Sequence, residues 1–311
     1  KHGNDSWAYA QRGIDWITRD EFGYNDAIHH RIFRGKTRDE FQRFMMKAGA
    51  NDNYPFAGGG HVRDFYVQSL SQVADLEMDE RTGEFCIIYA NGQYWGLYDI
   101  REKVDDHDFT EYYYDQERDE MDFLKTWGGT WAEYGDFDNW NETRDLILDN
   151  DMTDPAFYAE VEDRYNTTSL IDYFVLNSYV VAADWLNWNT GWWRGYNTDG
   201  GALKWRYILW DMDAVFGHYT NYTGIPDQSS GADICFPGAL GNPGSQGHVP
   251  IWNALLENED FRADYVNRMS DLSNSFFSCE FMQQHLDSLV TIMAPEMPRQ
   301  IDRWGGTYEA W

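Results

Sequence analysis

Four side chains in the second half of the chain could do chemistry together: Asp184, Asn189, Asp211 and Asp213. Hard divalent cations prefer carboxylate and amide oxygens, which makes Asp211, Asp213 and Asn189 suitable ligand types. Asp184 precedes them and could orient a hydroxyl and accept its proton. Two cationic residues of the first half could join them. Lys47 ends a strand-like run, and Arg63 stands near the start of a helical pattern. A cation at Lys47 or Arg63 would offset phosphate charge. The plain alternatives are a calcium site without catalysis at Asp211 and Asp213, a turn cap at Asp184, and a surface ion pair of little worth at Arg63. Paired carboxylates at Asp184 and Asp211 could also serve glycoside hydrolysis, which would require a separation of ~5–10 Å.

The elements that must position these groups are partly legible. Residues 169–183 are apolar on nearly all sides and predict a buried helix ending at Asp184. Residues 192–196 and 202–210 read as strands joined by the turn Asn197-Thr198-Asp199-Gly200-Gly201, and the second strand delivers Asp211 and Asp213. Residues 85–90 and 93–101 flank Asn91-Gly92, the strongest short hairpin signal. Residues 14–18 and 41–48 predict further strands, and 61–76 a helix. Between 109 and 150 an irregular excursion is expected, with one short helix near 142–148. Thr153-Asp154-Pro155 opens a helix. Residues 217–249 form a long Gly-, Pro-, Asn- and Ser-rich loop, and 250–304 predict three or four packed helices. No internal repeat is present.

A chain of 311 residues can bury a large core, in one domain or two closely packed lobes. A net charge of −29 argues against nucleic acid or an anionic membrane surface as the main partner, because both are bound through Lys and Arg. It suits divalent metals or basic protein substrates, and equally it suits solubility alone. Fifteen Trp favour either an aromatic core or a carbohydrate-contacting surface. Of the three Cys, Cys86 reads as a buried thiol, while a disulfide between Cys235 and Cys279 stays open. No run approaches a membrane span, and the Lys1-His2-Gly3 start reads as mid-sequence.

An Asp, an Asn five residues on, a short hairpin and a further Asp form the order of active-site parts in protein kinases. The usual kinase words, His-Arg-Asp, Asp-Phe-Gly and Val-Ala-Ile-Lys, are missing. More specific pieces are Met46-Lys47-Ala48-Gly49-Ala50-Asn51-Asp52, Val62-Arg63-Asp64, Asn91-Gly92-Gln93-Tyr94-Trp95-Gly96-Leu97-Tyr98, Arg101-Glu102-Lys103, and Trp210-Asp211-Met212-Asp213 after a Lys204-Trp205 strand. Together these resemble the CotH kinase family, over about residues 2–304. Ala48 and Ala50 depart from its more usual polar or glycine residues. The resemblance implies an α+β, atypical protein-kinase-like fold in two lobes: a strand-rich N-lobe over about 1–102 and a mainly helical C-lobe over about 103–311. It implies ATP with Mg²⁺ (or Mn²⁺ or Ca²⁺) and phosphorylation of Ser or Thr on extracytoplasmic proteins. It matches Asp184 to the catalytic base, Asp211, Asn189 and Asp213 to the metal, and Lys47, Arg63 and Glu102 to the nucleotide. The expected partner is a protein substrate, basic or Ser/Thr-rich, and the expected place is outside the cell or at its surface, within a larger multidomain chain. The alternative is a catalytically inactive, kinase-like scaffold that binds calcium, glycans or proteins.

Overall fold

The computed structural model describes residues 3, 5–18, 23, 26–218 and 241–311. Its first sheet is built from β1 (Ile14–Ile17), β4 (Arg43–Lys47), β5 (Gly83–Ala90) and β6 (Gln93–Glu102), in the order β1-β4-β6-β5 and antiparallel throughout. β2 (Ile28–His29) and β3 (Glu40–Phe41) form a separate two-stranded ribbon. The β5–β6 turn forms at Asn91-Gly92, where φ is 50° and 78°. Two positive values define the hairpin turn whose twist matches its strands. Between β4 and β5 lies α1 (Arg63–Val73). Its first turn is capped from a distance: the buried Asp52 carboxylate accepts from the amides of Gly60, Val62 and Arg63 at 2.7–2.8 Å.

The stretch after β6 is more regular than its sequence suggests. α2 (His107–Tyr114) is followed by β7 (Met121–Trp127), β8 (Gly129–Tyr134) and α3 (Asp138–Leu148). The expected irregular excursion over 109–150 is therefore two helices and a β-hairpin. β7 hides from pattern reading because its polar residues are buried and paired. The Asp122 carboxylate takes the Asp136 amide and the Asn139 side chain, and Lys125 reaches Asp105 at 2.7 Å. α4 (Pro155–Arg164) starts where Asp154 caps it. α5 (Thr167–Tyr179) is buried as expected but stops short of Asp184. Val181 turns left-handed at φ 53°, and the backbone pairs instead with the segment after Asp213: Ala183 N donates to Ala214 O, and Phe216 N to Val180 O, each at 2.8 Å.

β9 (Thr190–Gly195) and β10 (Arg206–Leu209) then join β7 and β8 in a second antiparallel sheet, ordered β10-β9-β7-β8. The part expected to be mainly helical thus carries a four-stranded sheet of its own. Asp79 ties it to the first half. Its backbone pairs with Tyr207 and Leu209, and its carboxylate holds Arg206, Trp193 and Tyr114. α6 (His248–Leu255), α7 (Glu259–Ser273), α8 (Cys279–Met293) and α9 (Met297–Trp304) complete the chain, four helices where three or four were expected. α6 begins within the span expected to be loop.

The core is aromatic. Trp140, Trp192, Trp205 and Trp252 are fully buried; Tyr173 stacks on Tyr207 at 4.2 Å and Phe174 on Trp252 at 4.6 Å. Buried rings of this size dominate core energetics, which accounts for much of the tryptophan content. Cys86 is half-buried, with its thiol pushed up to about 12 by burial, and Cys279 is exposed. Cys235 lies outside the described residues, as does much of the 217–249 loop. Among the described residues no helix is long and apolar enough to cross a membrane.

Candidate functional site

The site is organised by one carboxylate, Asp64, near the start of α1. Strand alternation explains how β4 and β6 reach it. Lys47 pairs with Asp99 and Met45 with Arg101, so Lys47 and Arg101 share one face of the sheet. On that face Asp64 Oδ2 meets Lys47 Nζ and lies 2.8 Å from Arg101 Nη1. Its other oxygen accepts from the Met212 amide at 3.1 Å and from Gln68 at 3.3 Å, and Gln68 also donates to Trp210 O at 3.0 Å. One buried side chain thus fixes the lysine strand and the Asp211-Met212-Asp213 segment together.

Lys47 Nζ also reaches Asp211 Oδ1 at 2.5 Å. Burial alone would lower the Lys47 ammonium, but Asp211, Asp64 and Asp213 outweigh it and hold its pKa above the usual lysine value. Burial would likewise raise Asp64, yet Arg101 and Lys47 keep it below the carboxylate range. Asp213 differs. Burial, then the neighbouring Asp211 charge, push it well above that range, while the Asn51 amide donates to it at 2.8 Å. Two carboxylates crowded together at a buried position form a donor set that a hard cation would stabilise.

Asp184 and Asn189 form the second half of the site. The Asn189 amide nitrogen donates to Asp184 Oδ2 at 2.7 Å, leaving the amide oxygen as the ligand-type atom. Leu186 and Asn189 both have positive φ, 65° and 46°, a conformation asparagine tolerates better than leucine. Asn189 immediately precedes β9 and Trp210 immediately follows β10; because Thr190 pairs with Leu209, the two segments meet at the same end of the sheet. Among the described residues no three His, Cys, Asp or Glu side chains converge as a ready metal cage. Donors for one would come from Asp211, Asp213 and the Asn189 amide.

Two expected residues stand apart. Glu102 is buried on the opposite face of the first sheet, opposite Phe44, where it holds Arg38 Nη1 at 3.3 Å and the Tyr113 hydroxyl at 2.9 Å. Glu102 lies three positions from Asp99, an odd offset, so the pleat turns it away from Lys47. Arg63 pairs with the buried Asp52 and faces a cavity of about 940 Å³ lined by Tyr66, Tyr179, Phe216, Met282 and Trp311. Sequence reading missed Asp64, Arg101 and Gln68. The available signal was Asp64 beside Arg63 within the first turn of a predicted helix.

None of the curated proteins matches the chain. The family model described as CotH kinase protein matches residues 19–311, nearly its whole length. The lysine-bearing strand, the acidic helix start and the Trp-Asp-x-Asp segment that converge on Asp64 all fall within that match, and the chain belongs to the CotH kinase family.

Proposed function

We propose that this protein transfers the γ-phosphoryl group of ATP to Ser or Thr hydroxyls of proteins outside the cytoplasm. Family membership suggests a kinase-type transferase. The observation that carries the finer reading is the convergence of Lys47, Asp64, Asp211 and Asp213 on one end of the second sheet, beside the Asp184–Asn189 pair. Phosphoryl transfer asks a protein mainly to align the nucleophile and neutralise phosphate charge.

In this reading Lys47 offsets charge on the nucleotide phosphates, and Asp64 with Arg101 holds the lysine in place. Asp211, Asp213 and Asn189 would hold a divalent ion, Mg²⁺ or Mn²⁺, which would supply charge neutralisation for the phosphates. Asp184 Oδ orients the acceptor hydroxyl and takes its proton as the oxygen attacks phosphorus and the ADP oxygen leaves. The negative net charge favours a basic protein substrate. A second reading, a kinase-like frame that binds without transfer, draws on the direct Lys47–Asp211 pair, which occupies the lysine that would otherwise face the phosphates.

Thermal unfolding of wild type and Asp211→Ala, with and without ATP plus Mg²⁺ or Mn²⁺, tests the proposal. A ligand at ~100 times its Kd adds ~2.7 kcal/mol to stability. Metal-ATP stabilisation in wild type that is absent from the variant is the expected outcome, followed by radiolabel transfer that Asp184→Ala abolishes. A shift with Ca²⁺ alone and none with any nucleotide overturns it in favour of the scaffold.

A further inference from the structure

We infer that β8 is a docking strand for an extended, basic segment of the protein substrate; the inference rests on the kinase reading and names what that site would select. β8 is an edge. The second sheet ends with it, and among the described residues no strand pairs its outer side. An edge strand presents alternate N–H and C=O groups that a peptide in extended form can pair with.

Its position gives the edge a use. At its start Gly128 N donates to Asn187 O at 2.7 Å, and Trp127 packs edge-on against Trp188 at 4.8 Å. Both partners belong to the loop between Asp184 and Asn189. Further along, Trp131 meets Trp210, the residue before Asp211, at 6.4 Å. A peptide paired along β8 would therefore run beside the groups assigned to proton abstraction and metal binding.

Its chemistry selects the occupant. Gly129, Trp131 and Glu133 alternate as the exposed residues of the strand, and Asp136 and Asp138 follow it, also exposed. No Lys or Arg occurs between Lys125 and Arg144; Lys125 is buried against Asp105 at 2.7 Å and reaches Glu133 only at 3.8 Å. Trp127 and Trp131 are 42% and 38% exposed, aromatic surface that attracts cationic side chains. Lys125 already lies over the Trp131 and Trp210 rings, at 5.6 and 4.3 Å. Lys or Arg at alternate positions of a paired peptide would meet Trp131 and Glu133 on one face of the extended sheet.

The test uses a short synthetic peptide of alternating lysine and serine, with a glutamate–serine peptide as control, read by tryptophan fluorescence and by amide hydrogen exchange. Saturable binding of the lysine peptide, weakened by salt, with new protection at residues 129–134, is expected. Charge reversal in Glu133→Lys/Asp136→Lys should weaken it by roughly tenfold, exchanging attraction for repulsion at two positions. Glu280→Lys/Asp287→Lys, two exposed positions on α8, makes the same change in net charge and should leave binding unchanged. Equal binding of both peptides, or protection only elsewhere, overturns the docking strand. So does protection of 129–134 without peptide that grows with protein concentration, which assigns the edge to a second copy. Strand protection by the lysine peptide without any metal-ATP stabilisation sinks the kinase reading alone, and the reverse result sinks the docking strand alone.

Discussion

Replacing Asp64 by Asn separates the roles of that carboxylate. The amide oxygen can still accept from Met212 N and Gln68, the partners of Asp64 Oδ1. The amide nitrogen, however, replaces Oδ2 and turns two donor hydrogens toward Lys47 and Arg101, both about 1% exposed. Removing one partner of a buried charge pair typically costs about 3–5 kcal/mol, because the remaining charge stays out of water. Asp99 and Asp211 remain as partners for Arg101 and Lys47, which places the expected cost at about 3 kcal/mol, the lower end of that range. Urea unfolding should show it as a lower midpoint at unchanged slope. Lys47, no longer held by the helix, should also lose its purchase on nucleotide, and metal-ATP stabilisation should fall with it. Glu102→Gln is the matched control. It too disturbs a buried ion pair, with Arg38, and should cost stability, yet it should leave the metal-ATP response intact. Unfolding of Asp64→Asn within about 1 kcal/mol of wild type would show that Asp64 does not hold the buried Lys47 and Arg101 charges. Loss of the nucleotide response in Glu102→Gln with its retention in Asp64→Asn would place the nucleotide on the opposite face of the sheet.

Other predictions follow from single sites. Burial pushes the His248 imidazole down to about 3, in a box formed by Trp140, Trp192 and Tyr207. From about pH 6.5 downward the unfolded chain takes up a proton that the folded chain refuses, so stability should fall by up to about 1.4 kcal/mol per pH unit. Glu80 has the opposite sign: burial raises its carboxyl to about 7, so its contribution is present below the ordinary Glu pKa and is lost as pH rises toward 7. Comparing denaturant unfolding of wild type and His248→Phe across this range cancels Glu80; parallel stability curves would count against a buried neutral His248. Gly128→Ala should destabilise by about 1 kcal/mol or more, since φ is +71° and the new Cβ would lie 2.9 Å from the Trp188 ring. It should also slow phosphoryl transfer by displacing the Asp184–Asn189 loop; unchanged unfolding and unchanged rate together would show that the approach is not rigid.

Features that depend on near neighbours are legible in the chain before it folds. The Asn91-Gly92 turn, the Asp154 cap and the buried character of α5 are local chemistry, and each formed where expected. The pieces carrying the family resemblance were likewise legible as short strings, and the family model spans them. What tertiary structure decided is which charged groups meet. Glu102 and Asp64 are both plausible partners for Lys47 on paper. The register of β4 against β6 turns Glu102 to the far face, and the cap that Asp52 places on α1 brings Asp64 to the near one. β7 escaped notice for a related reason. Its Asp122 and Lys125 look solvent-facing, and they are buried only because Asn139 and Asp105 satisfy them from distant parts of the chain. A buried charge is tolerated only with a partner, and the partner is supplied by the fold, not by adjacent sequence.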